Sequence, residues 1–169
     1  MTNDEYAIFN LLHRYCELQD AADFAGVAEL FRDATYRVHQ GPTCQGYDEV
    51  YRLKSHHART HADGTLRTKH VTTNTIVEFG DDGTNATTRS YFVVLQATTA
   101  LTLQPVIAGR YLDSFVAVGG AWRFADRLIH ADLVGDLTEH IRDNPLGVTD
   151  RPPGPLSGVS RRGARGRAW

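Results

Sequence analysis

Residues 106–131 read VIAGRYLDSFVAVGGAWRFADRLIHA, and this stretch decides the fold. Two runs rich in Val, Ile, Tyr and Phe, 106–118 and 121–131, flank Gly119-Gly120, which is the turn chemistry of a β-hairpin. The same composition recurs toward the N-terminus in 66–79 and 86–97. These segments are set off by Gly80-Asp81-Asp82-Gly83 and by Gln104-Pro105. Four successive β segments joined by turns predict an antiparallel meander.

The first third of the chain has a different period. Thr2-Asn3-Asp4-Glu5 has capping-box spacing, and Ile8, Leu11, Leu12, Tyr15 and Leu18 follow at helical intervals, which predicts a first helix reaching Asp20. Asp23 is placed to cap a short second helix that buries Phe24, Val27, Leu30 and Phe31. Residues 35–39 predict a first strand, Gly41-Pro42 breaks it, and a third helix is expected over 48–61. Helices followed by one sheet make an α+β domain. A curved sheet wrapped around such a helical layer encloses a cone-shaped pocket.

Composition narrows the function classes. A chain of 169 residues fits one domain, here expected over 1–147 with a Pro/Gly/Arg-rich tail over 148–169. The acidic N-terminus without an apolar leader, and only two cysteines (Cys16 and Cys44), lead us to expect a cytoplasmic protein without a disulfide framework. No apolar run reaches the roughly 18 residues of a membrane span, so no membrane partner is expected. Residues 151–169 hold five arginines and no acid, which leaves 13 basic against 20 acidic residues elsewhere, about −7. An acidic body argues against nucleic acid as partner. The tail reads as a solvated extension or an arm on a neighbouring subunit, with polyanion binding as the alternative.

The sequence has no G-x-G-x-x-G after a strand, no P-loop, no G-x-S-x-G elbow and no paired C-x-x-C, so no cofactor is expected. His57 and His61 are four apart on the expected third helix, a spacing that suits a metal but lacks a third ligand; no metal is assigned there. His70 opens a strand in Thr68-Lys69-His70-Val71-Thr72-Thr73-Asn74. A neutral imidazole there can accept a proton near neutral pH if a carboxylate fixes its tautomer and steadies the imidazolium. Asp20, leaving the first helix, is a chemically suitable partner. The competing reading is a helix-ending Asp and a hydrogen-bonded strand histidine.

Tyr15-Cys16-Glu17-Leu18-Gln19-Asp20-Ala21-Ala22-Asp23-Phe24, Glu29-Leu30-Phe31, the block around His70, Gly109-Arg110-Tyr111-Leu112-Asp113 and Gly120-Ala121-Trp122-Arg123-Phe124 together resemble the SnoaL-like branch of the NTF2-like superfamily. The resemblance runs over about residues 5–135 in unbroken order. It implies a cone of curved sheet around a pocket, in a homodimer or homotrimer. Members of the scytalone dehydratase and hexachlorocyclohexane dehydrochlorinase types are similar in placing Asp and His at positions that fall here on Asp20 and His70. The latter pattern adds an arginine that falls on Arg127.

Strand parity combined with that geometry gives the pocket candidates Arg37, His39, Tyr91, Val93, Ile107 and Tyr111, with Tyr15 one turn before Asp20. The two water-holding tyrosines of scytalone dehydratase fall on Gln19 and His39, which argues against that specific dehydration. Trp122 and Phe124, of opposite parity to Arg127, are expected to pack on a partner subunit or on the helical layer, and as outward apolar positions they predict an oligomer. The expected activity is cofactor-independent elimination, dehydration or isomerisation of a hydrophobic cyclic molecule. His70 is the base, Asp20 its orienter, and Arg127 the stabiliser of developing negative charge. Polyketide cyclase-type aldol chemistry would use the same parts. The alternative is a non-catalytic ligand-binding or assembly module similar to the aromatic-ring dioxygenase β subunit.

Overall fold

A computed structural model describes residues 2–142. The expected boundary at 147 and the arginine-rich tail lie outside the described residues. Helix α1 (Asn3–Asp20) starts where the capping box predicts. Thr2 Oγ1 accepts from the Glu5 amide at 3.2 Å, and Glu5 Oε2 accepts from the Thr2 amide at 2.6 Å. Helix α2 (Phe24–Leu30) is capped by Asp23, whose carboxylate accepts from the Gly26 amide. Strands β1 (Thr35–Val38) and β2 (Thr43–Gln45) follow, then α3 (Gly46–His57) and the long strands β3 (Thr68–Phe79), β4 (Asn85–Gln96), β5 (Gln104–Val118) and β6 (Ala121–Val134). No helix among the described residues is long and apolar enough to cross a membrane.

The six strands form one curved sheet in the order β2-β1-β6-β5-β4-β3, antiparallel except where β1 runs parallel to β6. The short β2 has too little apolar content to signal itself in the sequence. Curvature comes from bulges, each an extra residue that bends its strand. One lies between Thr73 and Ile76, where Asn74 takes a φ of 54°. Others fall at Val106 and at Ala125. Gly109 is required at a fourth irregularity, between β5 and β6. A Cβ there would sit 1.9 Å from the His130 carbonyl oxygen.

The helices cover the concave face. Ile8 and Leu12 of α1, Val27 of α2, Phe31 and Val50 of α3 are fully buried against the sheet. Phe31 stacks on Phe124 at 4.7 Å and meets Tyr36 edge-on at 5.2 Å. Trp122 and Phe124 are therefore core residues, 8% and 2% exposed, and the expectation that they point outward is corrected. The bulge at Ala125 is the reason: it puts Trp122, Phe124 and Arg127 on one face, although simple alternation separates the first two from the third. Trp122 Nε1 donates to Asp4 of α1 at 2.8 Å, so it packs on the helical layer.

Helix α3 ends at His57, four residues short of expectation, because Ala58 turns to extended backbone and pairs with Ile141. His57 and His61 thus do not share a helical face. The His61 ring instead meets the Glu139 carbonyl at 3.2 Å. The segment after β6 is strapped across this end of the molecule by Arg59 N–H to His140 O and Arg142 N–H to His57 O.

Candidate active site

Asp20 is the last residue of α1, and the chain turns sharply after it through Ala22 at a φ of 57°. Helix α1 lies along the start of β3, which brings the Asp20 carboxylate onto Thr68 and His70. It accepts from the Thr68 hydroxyl at 2.7 Å, from the His70 amide at 3.1 Å, and from His70 Nδ1 at 2.6 Å. A carboxylate can only accept, so Nδ1 carries the proton and Nε2 keeps its lone pair. Burial pushes the Asp20 carboxyl up, but the hydrogen bonds from His70 and Thr68 outweigh it and leave Asp20 below the ordinary value. For His70 burial dominates: its pKa is lowered despite Asp20, with Lys54 and Arg127 pushing the same way. The pair is therefore a neutral imidazole oriented by an ionised carboxylate.

His70 opens onto a cavity of about 110 Å³ between α1, α3, the concave sheet and the 140–141 segment. Its walls are chiefly apolar, with Leu66, Phe92, Val94, Ile107 and Ile129 among them. Polar groups come from few places. Tyr15 and Gln19 project from α1, Tyr36 from β1, Lys54 and His57 from α3, and His140 from the closing segment. His140 is buried with Nδ1 unpartnered, and its ring lies 6.4 Å from that of His70. Burial, then His70 and Lys54, push its pKa down to about 3, so it too stays neutral.

Of the residues singled out from sequence, the cavity wall includes His70, Tyr15, Ile107 and Tyr111, with Asp20 directly behind His70. Four others are corrections. Arg37 points to the outer face, where it makes a bidentate pair with Asp126 at 2.8 and 2.5 Å. His39 stacks on His130 at 4.3 Å and does not line the cavity. In β1 it is Tyr36 and Val38 that turn inward, because the apolar pair packs on the core and leaves the charge to solvent. Tyr91 is 54% exposed, and Val93 shares its outer face. Directly opposed strand residues share a face, and Ile107 pairs with Val94 while Tyr111 pairs with Ser90. An inward Ile107 and Tyr111 therefore exclude an inward Tyr91 and Val93.

Arg127 is also placed differently from expectation. It is fully buried behind the wall and donates to both Asp113 oxygens at 2.7 and 2.9 Å. Its guanidinium is sandwiched between the rings of Tyr15 and Tyr111, 4.2 Å from each centroid. Burial opposes its charge, yet Asp113 and the two tyrosines outweigh that and hold Arg127 above the ordinary arginine value. It positions two wall tyrosines and does not face the cavity.

Sequence reasoning missed Tyr36, Lys54 and His140. Lys54 was findable: Val50, Leu53, Lys54 and His57 recur at helical spacing, and this stripe is the inward face of α3. His140 lies past the last strand in a segment with no periodic signal.

A family model described as SnoaL-like domain matches residues 1–128. No curated protein matches the sequence. Among solved structures, a protein of unknown function from Mycobacterium tuberculosis is 29% identical with a TM-score of 0.65, over 78% of this chain and 73% of that one. An NTF2-like protein with a cystatin-like fold from Novosphingobium aromaticivorans is 22% identical, TM-score 0.64, over 80% and 86%. A candidate scytalone dehydratase from the same organism is 20% identical, TM-score 0.66, over 93% and 95%. The last two likenesses are of fold alone.

Proposed function

The chain belongs to the SnoaL-like family, and on that premise we propose that it is a cofactor-independent enzyme that removes a proton from a hydrophobic cyclic molecule. The observation that carries this reading is the 2.6 Å contact of Asp20 with His70 Nδ1 at the wall of an apolar cavity. Nε2 of a neutral His70 takes the proton, and Asp20 steadies the imidazolium that results. The buried surroundings keep His70 neutral in the resting state and strengthen its attraction to Asp20 once charged. The product then forms by elimination of a neighbouring group or by return of the proton to another carbon.

Association of two or three copies through the outer sheet face accompanies this reading. Val71, Ile76, Tyr91, Leu112 and Leu133 lie on that face and are 38–60% exposed, which is costly apolar surface for a lone chain.

The experiment is deuterium wash-in from heavy water into a panel of single-ring ketones and lactones, followed by NMR. The wild type is expected to exchange protons on at least one compound. His70→Ala should lose about 10²–10⁴-fold of that rate. Exchange unaffected in His70→Ala, or absent from the wild type across the panel, would refute the reading in favour of a ligand-binding or assembly module.

A further inference from the structure

Lys54, Tyr36 and Tyr15 meet at one side of the cavity. Lys54 Nζ donates to Tyr36 Oη at 2.6 Å and to Tyr15 Oη at 3.1 Å, and the two hydroxyls are 3.2 Å apart. Lys54 also lies over both rings, 4.5 Å from the Tyr36 centroid and 5.3 Å from that of Tyr15.

Counting protons shows what this cluster lacks. An ammonium has three N–H donors, and each tyrosine has one O–H. Two N–H bonds go to the tyrosine oxygens, and one tyrosine O–H can go to the other tyrosine. One N–H and one O–H are left over, and no acceptor among the described residues takes either. Nor does half-buried Lys54 have a carboxylate partner among the described residues, whereas fully buried Arg127 has its charge matched by Asp113 through Nε and Nη2. All three side chains line the cavity that His70 faces. A positive charge with two spare donors calls for an oxygen that bears negative charge and can accept twice.

We propose that Lys54, Tyr36 and Tyr15 form an oxygen-anion site, and that the molecule bound here is a single-ring carbonyl compound whose oxygen docks on it. This rests on the reading of His70 as the base. As His70 Nε2 takes a proton from the carbon beside the carbonyl, the C–H electron pair becomes a carbon–carbon double bond. The carbonyl π pair then moves onto oxygen, where the cluster receives the charge. The enolate collapses by expelling a leaving group from the next carbon along the chain or, where a second double bond is conjugated to it, by returning the proton from Nε2 to the far carbon of the dienolate as the double bonds shift. The single ring follows from volume: an apolar cavity of about 150 Å³ holds benzene, and this one is about 110 Å³. Lys54 also helps keep His70 and His140 neutral, which suits one wall that accepts a proton and another that accepts a negative charge.

The test uses 4-nitrophenolate, a single-ring enolate mimic, and 4-nitroanisole, its uncharged counterpart, titrated calorimetrically at mildly alkaline pH. The wild type should bind the phenolate about tenfold or more tighter than the anisole. Lys54→Met should bring that ratio close to one, Tyr36→Phe should lower it part-way, and His70→Ala should keep it. Circular dichroism and a melting curve establish that each variant is folded. If Lys54→Met does not fold, Lys54→Gln and Tyr36→Phe decide the matter by the same ratio. A ratio that survives in the lysine variant, one that collapses only in His70→Ala, or a wild type without saturable preference for the phenolate overturns the proposal. The two readings fail separately. A phenolate preference without deuterium exchange dismisses His70 as base and leaves the anion site standing. Exchange that depends on His70 without a phenolate preference does the reverse.

Discussion

Replacing Arg127 by methionine keeps most of the side-chain stem and removes a guanidinium that is wholly buried and bonded to both oxygens of Asp113. Among the described residues, the Asp113 carboxylate would then keep in the core only the Thr88 hydroxyl, 3.5 Å away, as a side-chain partner. Removing one member of a buried pair costs about 3–5 kcal/mol, because the other is left uncompensated. Near 170 residues each kcal/mol corresponds to roughly 2–4 °C, so melting should fall by roughly 6–20 °C. The loss has a pH signature. Burial already pushes the Asp113 carboxyl above its ordinary value, and Arg127 is the largest influence holding it down. Without the arginine, folded Asp113 binds a proton more tightly than unfolded Asp113 does. The variant's deficit relative to wild type should thus be smallest in acid and grow as pH rises through the folded value. Scanning calorimetry of Arg127→Met and of Arg127→Met with Asp113→Leu gives the answer. The double variant should recover most of the loss, since replacing a whole buried pair by apolar groups is often neutral. A single variant melting within about 2 °C of wild type, or a double variant no better than the single, would refute the reasoning.

Gly109→Ala should destabilise by about 2 kcal/mol or more, because the new methyl meets backbone at 1.9 Å and the sheet must give way; urea denaturation measures it. Folded His140, pushed down to about 3 by burial, and His70, also lowered, bind fewer protons than the unfolded chain does below about 6.5. Stability should therefore drop as pH falls from that value, by about 2 kcal/mol or more near pH 5, with a shallower slope in His140→Gln; a flat melting temperature would count against it. The rate of any proton-transfer reaction should rise with pH only through the lowered His70 value and be level by neutrality. A half-maximal rate above about 6.5 would conflict with a desolvated imidazole.

The hairpin at Gly119-Gly120 shows how far the sequence carried and where it stopped. Pairing outward from a two-residue turn puts Ala117 opposite Trp122 and Phe115 opposite Phe124, as the structure has them. Continued without interruption, the same register would set Asp113 against Asp126, two like charges facing each other. The extra residue at Ala125 shifts it so that Asp113 meets Arg127. That charge clash was readable in advance. Simple alternation ignored it, and so Trp122 and Phe124 were assigned to the wrong face. The helices were legible because their caps are local: Thr2 with Glu5, and Asp23 with Gly26. Asp20 and His70 were legible singly as a carboxylate and an imidazole at element ends, and the resemblance to the SnoaL-like branch is what paired them. Facing in β4 follows from its register with β5, far along the chain, whereas β1 carried a local signal, the alternation of Tyr36 and Val38 with Arg37 and His39, that was not used. Tyr91 and Val93 were misplaced for the first reason, Arg37 and His39 for the second, and Lys54 and Tyr36 were passed over.

The central claim is that His70 rests as a neutral imidazole, protonated on Nδ1 toward Asp20 and bare on Nε2 toward the cavity. Nitrogen-15 NMR of histidine-labelled protein reads both ring nitrogens without needing a substrate. The account predicts that near neutral pH His70 shows a protonated Nδ1 and an unprotonated Nε2, with a titration midpoint below about 6.5, and that Asp20→Asn disturbs this tautomer. A His70 that is cationic near neutral pH, or that carries its proton on Nε2, could not take a proton from a bound molecule and would contradict the account.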